Sequence, residues 1–411
     1  MMTHAAALAL LAERAPVLAR QESVPLASSI GRVLAERIVA SHDVPAQDNA
    51  AVDGYAFRAA DGAHGDDTGL TVAGVAAAGR PFDGGTVPAR SAIRILTGAI
   101  VPPGLDTVAM QEDCRLEQTG ATTRVVVPAG LRRGRNIRRA GEDVTAGSTL
   151  IEAGQILRPQ EIAQLASIGR SSAICTARPK VAVVSTGDEV VEPGGGALTP
   201  GKVYDANRLM LAPMIVAAGG EVTDLGIWRD DRADTTRRLA DAAATFDLVL
   251  TSGGASTGDE DHMAAALAAL GQRHLWRLAI KPGRPMMLGR IGTCSVVGLP
   301  GNPVAAFVCF LMYVRPLIAR LSGRAWPEPR QFPLPARFAI DDKKVGRREF
   351  LRGILVDGPG GLAVDRYPRD GSGLISGLRA ADGLIDIPED VHAIAVGDPV
   401  AFIPFSELGI G

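Results

Sequence analysis

Four polar or glycine-rich stretches, each directly behind a short apolar run, hold the residues of this chain best equipped for chemistry. Ser185-Thr186-Gly187-Asp188-Glu189 follows the run 181–184, and Arg229-Asp230-Asp231 follows Gly226-Ile227. The stretch 251–261, with Ser252, Gly253, Gly254, Ser256 and Asp261, follows 248–250. Leu299-Pro300-Gly301-Asn302-Pro303 follows Val296-Val297. Glycine lets backbone N–H groups close on an anion, and a helix starting just behind adds partial positive charge. Glu189, Asp230 and Asp261 supply the hard carboxylate oxygens that magnesium takes when it is shared with phosphate. Lys281 and Arg284, in Lys-Pro-Gly-Arg-Pro, supply cations for an oxyanion. Together these residue types point to metal-assisted chemistry on a phosphate ester.

Each piece also has a plainer reading. Thr-Gly-Asp-Glu suits a helix N-cap with acidic first-turn residues, and Asp230-Asp231 suits another cap. Asp53-Gly54 suits an ordinary turn, and Leu-Pro-Gly-Asn-Pro a tight turn before a helix. Arg132, Arg133, Arg135, Arg138 and Arg139 suit a solvated surface loop. The joint placement of these pieces at strand ends is harder to dismiss, because ligands of doubly wound sheets bind beyond the carboxyl ends of the strands. A P-loop is missing, and Gly194–196 follows Pro193 rather than a strand, so no dinucleotide fingerprint is present.

The elements that must position these residues follow from periodicity. Apolar strands at 181–184, 221–227, 248–250 and 294–299 alternate with helical patterns at 207–218, 235–244, 262–270 and from 304 onward. That alternation predicts a doubly wound parallel sheet covered on both faces, over 177–323. Ahead of it, 43–143 breaks into short strand-like runs (70–75, 92–96, 107–110, 124–127) separated by Gly, Pro and Asp, a β-rich lobe. Residues 1–42, with two helical patterns (the second at 28–38), join 144–176, with a helix at 159–168 opened by proline, as a helical linking domain. Beyond the linker Trp-Pro-Glu-Pro (326–329), residues 330–411 read as a small C-terminal β-barrel. The fold class is multidomain, α/β plus β.

Composition narrows the class of function. The 411 residues carry 43 Lys plus Arg against 45 Asp plus Glu, a net charge of -2, which argues against a nucleic-acid binder or a polybasic membrane protein. Cys114, Cys175, Cys294 and Cys309 form no CxxC, and their scatter fits a reducing compartment. The apolar start is short and lacks the basic residues of a signal peptide. The run 303–318 contains Arg315 and Pro316 and reads as a buried helix rather than a membrane span. A soluble, cytoplasmic protein is expected.

The longer motifs, in their order, resemble the molybdopterin molybdenumtransferases, a family that includes the E domain of gephyrin. They are Pro-Ala-Gln-Asp-Asn-Ala-Ala-Val-Asp-Gly-Tyr-Ala (45–56), Ile-Leu-Thr-Gly-Ala (95–99) and Asn-Ile-Arg-Arg-Ala-Gly-Glu-Asp (136–143). Ser-Thr-Gly-Asp-Glu (185–189), Tyr-Asp-Ala-Asn (204–207), Ser-Gly-Gly-Ala-Ser (252–256), Lys-Pro-Gly-Arg-Pro (281–285), Leu-Pro-Gly-Asn-Pro (299–303) and Gly-Ser-Gly-Leu-Ile-Ser (371–376) complete the set.

The resemblance covers essentially the whole chain and implies a molybdopterin-binding α/β domain. It implies a magnesium-dependent transferase that turns molybdate and adenylylated molybdopterin into molybdenum cofactor and AMP. It places Glu189, Asp230 and Asp261 around the metal, and Asp53, Thr97 and Asp143 on a β-rich lobe facing the other subunit of an elongated homodimer. The active site would lie at the subunit interface. It assigns Ser256, Lys281, Arg284 and Pro285 to molybdate, with Arg352 and Ser372 adding from the barrel, and the Ser252–Gly254 and Pro300–Pro303 loops to the cofactor.

Where this chain departs from the family pattern, Ala50 and Val52 stand near Asp53, Arg284 stands for a common Lys, Ala305 for Ser and His262 for Tyr. The preceding enzyme, molybdopterin adenylyltransferase, shares the α/β domain but lacks the lobe and barrel. It and the recipient molybdoenzymes are possible partners. A scaffold role would tolerate loss of the acidic residues, which are intact.

Overall fold

The computed structural model describes residues 1–62, 68–254, 262–358 and 360–410. Ser256 and Asp261 lie outside them.

The α/β domain is built on a six-stranded sheet. Its order is Glu221–Trp228, Lys180–Thr186, Leu248–Ser252, Cys294–Leu299, Pro285–Ile291, Gln272–Arg277. The first four strands are parallel, with Val181 beside Leu248 and Leu248 beside Ser295, and the first pair shifts register between Val183 and Ser185. Successive side chains point to opposite faces. Val181 and Val183 join the core under helices His4–Arg14, Asn207–Ala217 and the long helix from Pro303, while Ala182 and Val184 join the core under Arg232–Thr245 and His262–Leu270. Both faces are therefore apolar, and each fully buried Val or Leu contributes roughly 1.5–3 kcal/mol.

Two strands were not legible in the sequence. Gln272–Arg277 and Pro285–Ile291 form an antiparallel edge to the sheet. Gln272, Arg273 and His274 break any apolar run there, because an edge strand need not be buried on both sides.

The expected membrane-length helix is a core element. Pro303–Leu321 is apolar enough to cross a bilayer by length and composition, yet 89% of it is buried in protein. Its middle widens into a π-turn over Phe310–Val314, just ahead of Pro316, which has no N–H to give. The Arg315 Nε donates to the Leu311 carbonyl there at 3.3 Å.

The second helical pattern at 28–38 is not a helix. Gly31 turns with φ +72°, and the following chain pairs with distant segments, Leu34 N–H to Gln155 and Ala35 N–H to Ile174. Val33, Leu34 and Ile38 are buried in a small core with Leu157, Leu165 and Cys175. Their spacing reflects that long-range packing rather than a helix face.

The β-rich lobe is a six-stranded sheet ordered Thr107–Met110, Gly54–Phe57, Ser91–Ile95, Thr68–Ala76, Thr122–Val127, Arg115–Thr119. Gly54 is required by close approach. A Cβ there would sit 1.8 Å from the Ala109 carbonyl oxygen on the neighbouring strand. The C-terminal sheet runs from Phe332–Pro335 through Pro399–Pro404 and Gly383–Ile387 to Arg348–Gly358, with Gly361–Arg366 beyond. A bridge between Ala336 and Val364 closes it into the expected barrel. Ile280–Lys281 pairs in parallel with Arg348–Gly358, tying the barrel to the α/β domain beside the Lys-Pro-Gly-Arg-Pro turn.

Candidate active site

The strand-end loops meet as the sequence placed them, but through contacts that spacing does not show. No helix follows Thr186-Gly187-Asp188-Glu189, so the N-cap reading fails. Val190–Val191 instead pairs with Val203–Tyr204. Gly187 takes φ +129°, and the Glu189 carboxylate folds back over it, so a Cβ at 187 would meet Glu189 Oε2 at 2.3 Å. Glycine here is what lets Glu189 occupy its place. Asp230 and Asp231 divide their roles. Asp231 caps helix Arg232–Thr245 by accepting from Asp234 N–H at 2.7 Å. Asp230 leaves the cap, accepting from Asp188 N–H at 3.0 Å through one oxygen, and stays exposed.

Asn207, in the Tyr-Asp-Ala-Asn motif, joins two strand ends. Its Nδ2 donates to Ser252 Oγ and to the Gly301 carbonyl, both at 2.7 Å. Gly253 and Gly254 turn out of the strand with φ +89° and +70°. Behind Asn207, Arg208 is buried and meets three carboxylates: Asp205 at 2.8 Å, Glu192 at 2.6 Å, and Asp224. These pairs hold the 190–205 segment, and with it Glu189, against the helix. Lysine lacks the planar fork needed to serve three partners.

A cavity of about 410 Å³ opens beside these loops. Lys281, Arg284, Pro285, Pro300 and Asn302 line its α/β side, and Arg352 and Ser372 its barrel side. The first turn of the long helix points into it, with Val304 N–H donating to the Ser372 carbonyl at 2.9 Å. Lys281 Nζ lies 3.5 Å from Glu349 and 3.9 Å from Asp370, loose pairs that leave it 41% exposed and able to turn to a dianion. Arg284 is exposed and has no ion pair among the described residues. Arg352 is already engaged. Its guanidinium donates to the Leu374 and Arg369 carbonyls and stacks 4.8 Å over the Tyr367 ring. Arg366, Tyr367 and Asp370 also line the cavity. They sit just ahead of the Gly-Ser-Gly motif, and that adjacency was the available signal.

The lobe residues form a separate group. Asp53 Oδ1 accepts from both the N–H and the hydroxyl of Thr97 at 2.7 Å, which holds its carboxyl below the usual range, the backbone N–H having the larger effect. Asp143 is exposed, its N–H bonded to the Val44 carbonyl. The five arginines of 132–139 are exposed. Arg133 pairs with Asp106 and Arg139 with Asp48. Among the described residues, no hydrogen bond or ion pair joins the lobe strands to the strand-end loops of the same chain. A larger recess of about 520 Å³, between helix His4–Arg14 and the 326–331 linker, touches none of the predicted site residues and is mostly apolar.

Family models described as the MoeA N-terminal region (domain I and II), a probable molybdopterin binding domain and the MoeA C-terminal region (domain IV) match residues 2–169, 182–320 and 335–405. A molybdopterin molybdenumtransferase of Haemophilus influenzae is 38% identical over 99% of this chain and 100% of its own. The chain belongs to the molybdopterin molybdenumtransferase family. A second relative, molybdopterin molybdenumtransferase 2 of Mycobacterium tuberculosis, is 35% identical over 92% of this chain and 93% of its own. The solved MoeA protein of Pyrococcus horikoshii superposes with a TM-score of 0.83 at 30% identity, covering 98% of this chain and 100% of that one. The molybdenumtransferase fold therefore extends over lobe, α/β domain and barrel alike.

Proposed function

We propose that this protein inserts molybdenum from molybdate into adenylylated molybdopterin, releasing AMP, with magnesium held at Glu189, Asp230 and Asp261. The observation that carries this reading is the 410 Å³ cavity, where Lys281, Arg284 and Arg366 face the N-terminal turn of a buried helix. A dianion such as molybdate gains charge-assisted bonds from Lys281 and Arg284 and the partial positive charge of that helix end.

The donor set fits magnesium by its chemistry. No group of three metal-ligating side chains converges among the described residues. Magnesium, however, takes one or two protein carboxylates and fills the rest with phosphate oxygens and water. Glu189 and Asp230 present such carboxylates, each exposed on the rim. Bound there, the ion supplies Lewis-acid polarisation of the phosphoanhydride. The chain does the rest. The Ser252–Gly254 and Pro300–Pro303 loops, pinned by Asn207, orient the cofactor phosphate, and Lys281 and Arg284 place the oxyanion beside it.

Asp53, Thr97 and Asp143 serve the active site of a second subunit, in a homodimer with its site at the interface. Thr97 and Asp143 are exposed on the lobe and open to a second chain, which supports that reading. Four free thiols, three of them buried, support a cytoplasmic location, where a molybdopterin adenylyltransferase and recipient molybdoenzymes are the expected partners.

The test is AMP release from adenylylated molybdopterin by purified protein. Release only with both molybdate and magnesium, together with active cofactor, is the expected result. Synthesis of adenylylated molybdopterin from ATP would instead assign the preceding step.

A further inference from the structure

A second basic recess lies at the opposite end of the α/β sheet. Ser295, on its wall, is the second residue of strand Cys294–Leu299, four residues before Leu299, so it sits about 13 Å from the strand-end loops at roughly 3.3 Å per residue. The recess holds about 80 Å³, more than the ~30 Å³ share of one water and enough for a five-atom oxyanion. The donor-bearing residues Arg14, Gln272, His274, Arg290 and Ser295 line it together with Leu11, Leu288 and Leu317.

The charges there are unbalanced. Arg290 has no ion pair among the described residues, and its Nε is buried without a hydrogen-bond partner. An orphaned buried donor beside a half-buried cation is costly unless something completes it. Nearby carboxylates are committed or remote. Asp247 is held by Arg20 and by Lys180 N–H, and Glu13 reaches Arg14 only from solvent, at 3.5 Å. His274 has its pKa lowered by burial and then by Arg14 and Arg290, which places all three side chains in one field. Arg14 also suits the last turn of its helix. No such account covers Arg290.

We propose that Arg14, His274 and Arg290 form a second oxyanion site, distinct from the Lys281–Arg284 cavity, for a small tetrahedral dianion of the phosphate, sulfate or molybdate class. Arg290 Nε and Arg14 supply charged donors, and Gln272, His274 and Ser295 supply neutral ones, a set matched to four oxygens.

The test is calorimetric titration of inorganic phosphate into the full-length protein carrying Arg284→Ala, which weakens oxyanion binding at the first cavity. One saturable site per chain is expected, and Arg290→Gln should raise its Kd at least tenfold. Arg14→Gln, at the exposed end of its helix, should do the same and keeps the test decisive if the Arg290 variant fails to fold. Absence of saturable binding, or binding unchanged by the variants, would overturn the proposal. Sulfate and molybdate should each displace phosphate; failure of both would overturn the shared tetrahedral-dianion chemistry.

Discussion

Asp53 and Thr97 lie far apart in sequence, yet two hydrogen bonds to one oxygen fix the orientation of the carboxylate. The sign of its pKa shift follows. A carboxyl held below its unfolded value stays charged to more acidic pH, and its contribution is lost only as pH falls through the folded value. Asp53 should therefore not set the acid limb of the pH–rate profile. Asp53→Asn should cut turnover by about a hundredfold or more, while circular dichroism and the urea midpoint stay near wild type, as for an exposed position. Asn207 is the opposite case, since its side chain ties the strand-end loops together. Asn207→Ala removes both bonds to Ser252 and Gly301 and should cost about 2 kcal/mol, read as a lower urea midpoint, with KM raised as the loops loosen.

At the scale of elements, the long buried helix is the common support. Its first turn faces the cavity lined by Lys281 and Arg284, and Tyr313 on its π-turn receives the N-terminal helix through a 2.8 Å bond to His4 Nδ1. Burial, then Arg348, push the His4 pKa down to about 4. The unfolded chain takes up this proton near pH 6.5 and the folded one only near 4. Stability from His4 is thus full above 6.5 and falls as pH drops through that window, by at most about 3 kcal/mol. Chemical denaturation between pH 7 and 4 should show this slope, and His4→Gln should flatten it. An unchanged slope in the variant would assign the pH dependence to other groups.

At the scale of the whole molecule, the proposed homodimer would set the lobe of one chain against the α/β loops of the other. Mixed dimers test this directly. Asp53→Asn on one subunit and Glu189→Gln on the other leave one site with both lesions and one with none. Co-expressed, differently tagged subunits should recover about half of wild-type activity, with each homodimer nearly inactive. No recovery in purified mixed dimers would place Asp53 and Glu189 in the same subunit's site.

The sequence by itself determined the parallel strands, their order along the chain and the residue types at their ends, because period-two and helix-period patterns are local signals of burial. Its motifs also carried the family, since long ordered strings survive where single turns are ambiguous. Tertiary structure alone decided the rest. The 28–38 segment imitates a helix because its buried residues answer to partners more than 100 positions away. The antiparallel edge is hidden because an edge strand needs no continuous apolar run. Asn207 gains its contacts only when strand ends meet, and Arg366 and Tyr367 come to the cavity only when the barrel closes on the α/β domain. Asp230 and Asp231, identical neighbours in sequence, part into a strand-end contact with Asp188 and a helix cap. Spacing records what is near along the chain; the work of a side chain depends on what folding brings across to it.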